Sequence, residues 1–161
     1  MEKLYIGLGS NLGDRQALLL EAVKHIDDRV GRVSALSSFY ETEAWGFVSD
    51  NRFLNAALCA ETELDVLNAL DITQAIEREL GRVSKSAGGV YSDRPIDIDL
   101  LLYGSMTVNV PRLTLPHPLM HRRLFVLQPL VEIAPQLLHP VLRKTMSELL
   151  AELGGSPHTS L

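Results

Sequence analysis

An α+β fold built on one antiparallel sheet is what this sequence predicts, and three observations carry the prediction. Two strand-like stretches, 33–42 and 52–64, follow each other with a connection that holds no helix, so they pair antiparallel rather than through a crossover. Helical stretches with one apolar face separate the first strand from this pair, and the pair from the next strand, in the order βαββαβ. With 161 residues, 46% hydrophobic and 22% charged, the chain fits one domain, 1–161, able to bury a core without crosslinks.

Lys3–Leu8 reads as the first strand. It runs into Gly7-Leu8-Gly9-Ser10-Asn11-Leu12-Gly13, a G-x-G-x-x-x-G turn before a helix, which is the local setting of a dinucleotide cradle. A cradle needs a second parallel strand reached through that helix. The antiparallel pair that follows breaks this reading. Asp14 caps a helix to about Arg29, with Leu19, Ala22, Val23 and Ile26 on its apolar face. Val33–Thr42 reads as one strand, and "RFLNAALCAETEL" as another, with Leu54, Ala56, Leu58 and Ala60 alternating onto one side. A second helix, from about Asp65 to Leu80, stops at Gly81. After "RVSKSAGGVYSDRP" comes the strand "IDIDLLLY".

This order is the split βαβ of ferredoxin-like α+β folds, whose antiparallel sheet carries its helices on one face and leaves the other free for a ligand. C-terminal additions complete the fold. They are short edge strands near Val108 and Leu113, and short helices around Leu119–Ala134 and Thr145–Leu153. Gly154–Leu161 reads as a disordered tail.

A formal net charge of -5 argues against a protein that holds long nucleic acid by neutralising phosphates. It leaves small anions open, because basic residues gather locally at Arg78, Arg82, Lys85 and Arg94, and again at Arg112, Arg122 and Arg123. Cys59 is the only cysteine, which excludes an internal disulfide and a multi-cysteine metal site; it reads as a small core residue. No apolar run is long enough for a signal peptide or a membrane helix, so a cytoplasmic monomer is the expectation.

The stretch Arg94-Pro95-Ile96-Asp97-Ile98-Asp99 carries the chemistry. In a strand Asp97 and Asp99 share one face, about 7 Å apart along the chain. A solvated strand face would explain a random pair of this kind. Here the continuation into Leu101 and Tyr103 on the same face, with Ile96, Ile98, Leu100 and Leu102 on the other, predicts a central strand covered on both sides. Half-buried like charges are costly without a cation, and Mg²⁺ with substrate phosphates suits two carboxylates. Arg82, Lys85 and Arg94 flank or lie within the glycine-containing loop, where they could neutralise a transferring phosphoryl group. His117 stands between Pro116 and Pro118 on a stiff turn. Trp45 and Phe53 with Asn55 could sandwich and read a planar heterocycle; core packing is the plainer explanation for Phe53 alone.

Taken in order, "IGLGSNLGDR", "SSFYETEAWG", "FLNAAL", "IERELGR", "DRPIDIDLLLYG" and "LTLPHPLMHRRLFVLQPLVEIAP" resemble the 6-hydroxymethyl-7,8-dihydropterin pyrophosphokinases over about nine tenths of the chain. The resemblance implies a ferredoxin-like fold and transfer of pyrophosphate from ATP to the pterin hydroxymethyl group, with release of AMP and the use of two Mg²⁺. It implies that Asp97 and Asp99 hold the metal and that Arg82 and Arg94 steady the transferring group. It further implies that Gln74, Glu77, Lys85, Arg112, Thr114, His117, Arg123 and the backbone of Leu100 meet ATP. Thr42, Trp45, Phe53, Asn55 and Phe125 would meet the pterin. The chain departs from the usual family pattern at Glu43, Phe53, Tyr91 and Pro118. A non-catalytic ligand-sensing domain of the same fold and a nicotinamide-dependent oxidoreductase are the rival readings.

Overall fold

The computed structural model describes residues 1–42, 52–81 and 95–154. The elements in chain order are β1 (Glu2–Ser10), α1 (Arg15–Arg29), β2 (Arg32–Leu36), β3 (Tyr40–Thr42), β4 (Phe53–Thr62), α2 (Val66–Glu79), β5 (Asp97–Tyr103), β6 (Val108–Val110), β7 (Leu113–Leu115), α3 (Leu124–Ile133) and α4 (Met146–Glu152). The main sheet has the order β2-β4-β1-β5, with β3 also on β4, and every pairing is antiparallel. This is the ferredoxin-like order that the sequence predicts.

Helix starts follow from local chemistry. The Asp14 carboxylate accepts the Ala17 N–H at 3.2 Å, and Asp65 accepts that of Asn68 at 2.9 Å, each satisfying an N–H that a helix leaves without a partner. Thr145 and Glu148 close a reciprocal capping box on α4. Alternation along β1 and β4 then sorts the core. Leu4, Ile6, Leu8, Leu58 and Ala60 pack with Leu19, Ala22 and Ile26 of α1 and Ala69, Leu70 and Ile76 of α2.

Six expectations need correction. The second face of the sheet is only partly free: Leu127, Leu130 and Val131 of α3 and Met146, Leu149 and Leu150 of α4 cover it over Tyr5, Ala57 and Cys59. Both C-terminal helices are too apolar to lie elsewhere. Cys59 is, as expected, a buried free thiol.

The β5 strand is covered on both faces but is an edge strand, paired to β1 alone. A shift in the β1–β5 pairing between Tyr5 and Ile6 also leaves Leu101 without a partner, with Ile6 opposite Leu100 and Tyr5 opposite Leu102. That extra residue reverses the faces beyond it. Leu102 joins Leu101 in the second core, and Tyr103 turns to the first.

The expected strand 33–42 is divided at residues 37–39. Ser37 causes the break in part, because its hydroxyl takes the Ala57 N–H at 2.9 Å in place of a backbone carbonyl. Finally, β6 and β7 pair with each other as a separate two-stranded sheet rather than extending the main one. The helix expected over 119–134 is a short 3-10 turn, Met120–Arg122, followed by α3.

Candidate active site

The site begins with the opening glycines. Gly7 and Gly9 lie on β1 with ordinary strand backbone, since the glycines at positive φ are Gly13, Gly81, Gly104 and Gly154 among the described residues. Their role is therefore space. Gly9 pairs with Asn55 on β4 and with Asp97 on β5, so the three form one row across the sheet. Gly7 pairs with Ala57 and Asp99 in the next row of that face. At a strand spacing near 4.8 Å, Asn55 and Asp97 stand about 10 Å apart with no side chain between them.

One wall of this floor comes from β3 and β4. Asn55 is buried and its Nδ2 donates to Thr42 Oγ1 at 2.6 Å, which fixes the amide's orientation and directs Oδ1 toward Gly9. Phe53, two residues earlier, shares that face, and its ring would lie 3.6 Å from a Cβ placed on Gly9. Phe125 is in the first turn of α3 and packs against the second core, with the Arg123 guanidinium 5.6 Å from its ring centroid.

The opposite wall is β5 and the turn after β7. Asp97 and Asp99 are half-buried at the end of the floor. The His117 N–H donates to the Leu101 carbonyl at 3.0 Å, tying this turn to β5. His117 Nδ1 accepts the Leu119 N–H at 3.2 Å, so a neutral ring carries its proton on Nε2. Burial holds the His117 pKa below its ordinary value, the Arg123 charge lowers it further, and Asp97 opposes both. His117 is thus an uncharged donor at neutral pH, close to both residues.

A second group lies on α2 and the β6–β7 hairpin. Arg112, in the hairpin turn, donates to Asp71 and to Gln74 Oε1, the latter at 3.4 Å. Thr114 is exposed on β7 opposite Asn109. Glu77 is buried, and its Oε2 accepts the Ile98 N–H at 2.6 Å. Since successive residues of a strand turn their peptide groups to opposite sides, Ile98 and Leu100 both present theirs to the open edge of β5.

The structure therefore brings together Thr42, Phe53, Asn55, Asp97 and Asp99 over the glycine floor, sets His117 near both Asp97 and Arg123, and groups Gln74 with Arg112. Trp45, Arg82, Lys85 and Arg94, with the departures at Glu43 and Tyr91, lie outside the described residues. Sequence reasoning missed Gly7 and Gly9 as a floor. The signal was there, because G-x-G has the period of a strand and places both glycines on one face.

Two carboxylates over an open floor suit a hard cation that completes its shell with water and substrate oxygens. No group of three or more His, Cys, Asp or Glu side chains that could hold a metal ion occurs among the described residues. The donor set fits Mg²⁺ shared with a phosphate chain and does not fit a zinc cage.

Comparison with known proteins follows the same line. The family model for 7,8-dihydro-6-hydroxymethylpterin-pyrophosphokinase (HPPK) matches residues 5–135. The chain is 56% identical over 141 residues to the 2-amino-4-hydroxy-6-hydroxymethyldihydropteridine pyrophosphokinase of Porphyromonas gingivalis, covering 87% of this chain and 95% of that protein. It is 39% identical over 140 residues to the folic acid synthesis protein fol1 of Pneumocystis carinii, covering 87% of this chain but only 18% of that one. The crystal structure of wild-type Plasmodium falciparum HPPK-DHPS superposes with a TM-score of 0.73 at 16% identity over 94% of this chain. This chain spans 44% of that structure's length, and the likeness supports the fold alone. No helix among the described residues is long and apolar enough to cross a membrane.

Proposed function

The chain belongs to the 7,8-dihydro-6-hydroxymethylpterin pyrophosphokinase family, a pyrophosphokinase of folate biosynthesis, and from that premise we propose how its residues divide the work. The substrates are ATP and 6-hydroxymethyl-7,8-dihydropterin. The pterin hydroxymethyl oxygen forms a bond to the β-phosphorus, the bond from that phosphorus to the bridging α-oxygen breaks, and AMP leaves with the bridging oxygen. The hydroxyl proton is released, and the product is the pterin diphosphate.

The observation that carries this division is the row Asn55–Gly9–Asp97. The pterin lies over the glycine end, between Phe53 and Phe125. Asn55, held by Thr42, reads the ring edge through Oδ1, and Trp45 belongs to the same pterin-contacting set in this reading. The hydroxymethyl group then points along the row toward Asp97 and Asp99. These two hold Mg²⁺, two ions in this reading, which when bound would neutralise charge on the phosphate chain.

ATP occupies the β5 side. Gln74, Glu77, Lys85, Arg112 and Thr114 line its path, and the outward peptide groups of Leu100 read the adenine as an edge strand can. His117 donates Nε2–H and Arg123 its guanidinium to phosphate oxygens, both within reach of Asp97's neighbourhood. Arg82 and Arg94 supply positive charge to the transferring group, where positioning and electrostatics provide most of the catalysis. The reading is of a single domain acting as a cytoplasmic monomer on small molecules, with no nucleic-acid partner.

The test is to incubate the protein with Mg²⁺, ATP and 6-hydroxymethyl-7,8-dihydropterin. AMP and pterin diphosphate should appear in equal amounts, and AMP should not form without pterin. Formation of ADP, or AMP formation indifferent to pterin, would overturn the reading.

A further inference from the structure

We propose that Glu132 is a positioning residue that sets the separation of α3 from β3 and so the width of the pterin slot. The proposal rests on the placement of the pterin between Phe53 and Phe125 given above.

Glu132 lies near the C-terminal end of α3 with its carboxylate facing the break between β2 and β3. Each of its oxygens accepts the Ser38 N–H at 3.0 Å. Oε2 also accepts the Ser38 hydroxyl at 3.0 Å, and Oε1 accepts the Tyr40 hydroxyl at 2.6 Å. Three donors from one short segment converge on one surface carboxylate. The fold does not need them to hold α3 down, because Leu127, Leu130 and Val131 already bury that helix against the sheet.

Apolar packing resists separation but is indifferent to small sliding, whereas directed hydrogen bonds fix lateral position. Pairing with β4 fixes β3 within the sheet, at Tyr40–Asn55, Glu41–Leu54 and Thr42–Phe53, and Ser37 stays bonded to Ala57. That pairing does not fix where α3 sits across the face of the sheet, and Glu132 supplies this constraint from the helix side.

Both ends of the constraint lead to the slot. Along α3, Phe125 precedes Glu132 by two helical turns and falls on the same face. Along β3, Thr42 lies two residues beyond Tyr40 and accepts the Asn55 amide, while Tyr40 itself pairs with Asn55. One carboxylate thus sets how far the Phe125 wall stands from the Thr42–Asn55 wall.

The experiment is steady-state kinetics on Glu132→Ala, Glu132→Gln and Tyr40→Phe, with Asn55→Ala as a control for the slot. Glu132→Ala should raise KM for the pterin about tenfold with kcat and KM for ATP within about twofold. Glu132→Gln, which keeps one accepting oxygen, and Tyr40→Phe should each give roughly a threefold rise. Unchanged pterin KM in Glu132→Ala and Tyr40→Phe, alongside a raised KM in Asn55→Ala, overturns the positioning role and leaves the slot intact. Equal loss in both KM values and kcat overturns it too, since a merely structural role predicts that pattern. Unchanged pterin KM in Asn55→Ala overturns the slot and this proposal with it.

Discussion

The Glu77 carboxylate accepts the Ile98 N–H at 2.6 Å, binding α2 to the residue that separates Asp97 from Asp99. As β5 is an edge strand, this N–H has no ladder partner, and a buried carboxylate takes the place of a neighbouring strand. Glu77→Ala should leave the N–H unpaired and lower stability by about 2 kcal/mol in urea unfolding. Glu77→Gln retains an accepting oxygen and should recover most of that loss. A Glu77→Ala variant as stable as the parent would show that the edge is held by other contacts.

Gly9 makes a second, sharper case, because its missing side chain is what opens the floor. A Cβ there would lie 3.2 Å from Asn55 Oδ1 and 3.6 Å from the Phe53 ring, close enough to push the amide from its place. Gly9→Ala should raise the pterin KM by about tenfold while the melting temperature changes little, a misplacement effect rather than a folding one. Gly7→Ala is the comparison. Its Cβ would meet the Leu101 side chain at 3.5 Å, an ordinary contact, so its effect should be smaller. Equal effects from the two substitutions would refute the floor.

These glycines also show where legibility ended. Alternation in "FLNAALCA" and the caps at Asp14 and Asp65 are local signals, and the elements they specify form as expected. The face shared by Asp97 and Asp99 was legible for the same reason. The bulge at Leu101 was not, since an apolar run reads alike with or without an extra residue. Nor does periodicity say which strand takes the sheet edge: β5 is as apolar as a central strand because α2 and the C-terminal helices cover its two faces. Placement of α3 and α4 on the second face depends on long-range packing, which no local pattern encodes. The latch at Glu132 is equally silent, joining residues 94 positions apart in sequence.

The aspartate pair predicts different effects on folding and on turnover. Without a bound cation, two half-buried carboxylates on one face repel each other. Asp97→Asn or Asp99→Asn should leave the protein folded in metal-free buffer. Turnover should fall by on the order of a hundredfold or more, as expected where charge neutralisation in the transition state is lost. Chelation of the parent protein should likewise abolish AMP formation, with recovery on adding Mg²⁺. Full activity in either folded variant would remove that residue from the metal site.

Acid stability should be lost in two stages. Burial holds the pKa of His117 and of His139 below the ordinary 6.5, with neighbouring charges, Arg123 and His121 respectively, adding to it. The unfolded chain therefore takes up protons first, so the stability these residues confer is complete above pH 6.5 and is lost as pH falls toward their lowered folded values. Glu132 follows the same sign at lower pH. Hydrogen bonds from Tyr40 and Ser38 outweigh burial and lower its pKa from the ordinary 4.5, and Glu148 is lowered by its capping bonds to Thr145. Their contribution persists above pH 4.5 and disappears below it. Denaturation midpoints from pH 8 to 3 should accordingly show one decline beginning near 6.5 and a second below 4.5. His117→Asn and His139→Asn, whose amide oxygens can accept the N–H bonds now taken by Nδ1, should flatten only the first decline. If the double variant keeps that first decline undiminished, groups other than these two histidines set it.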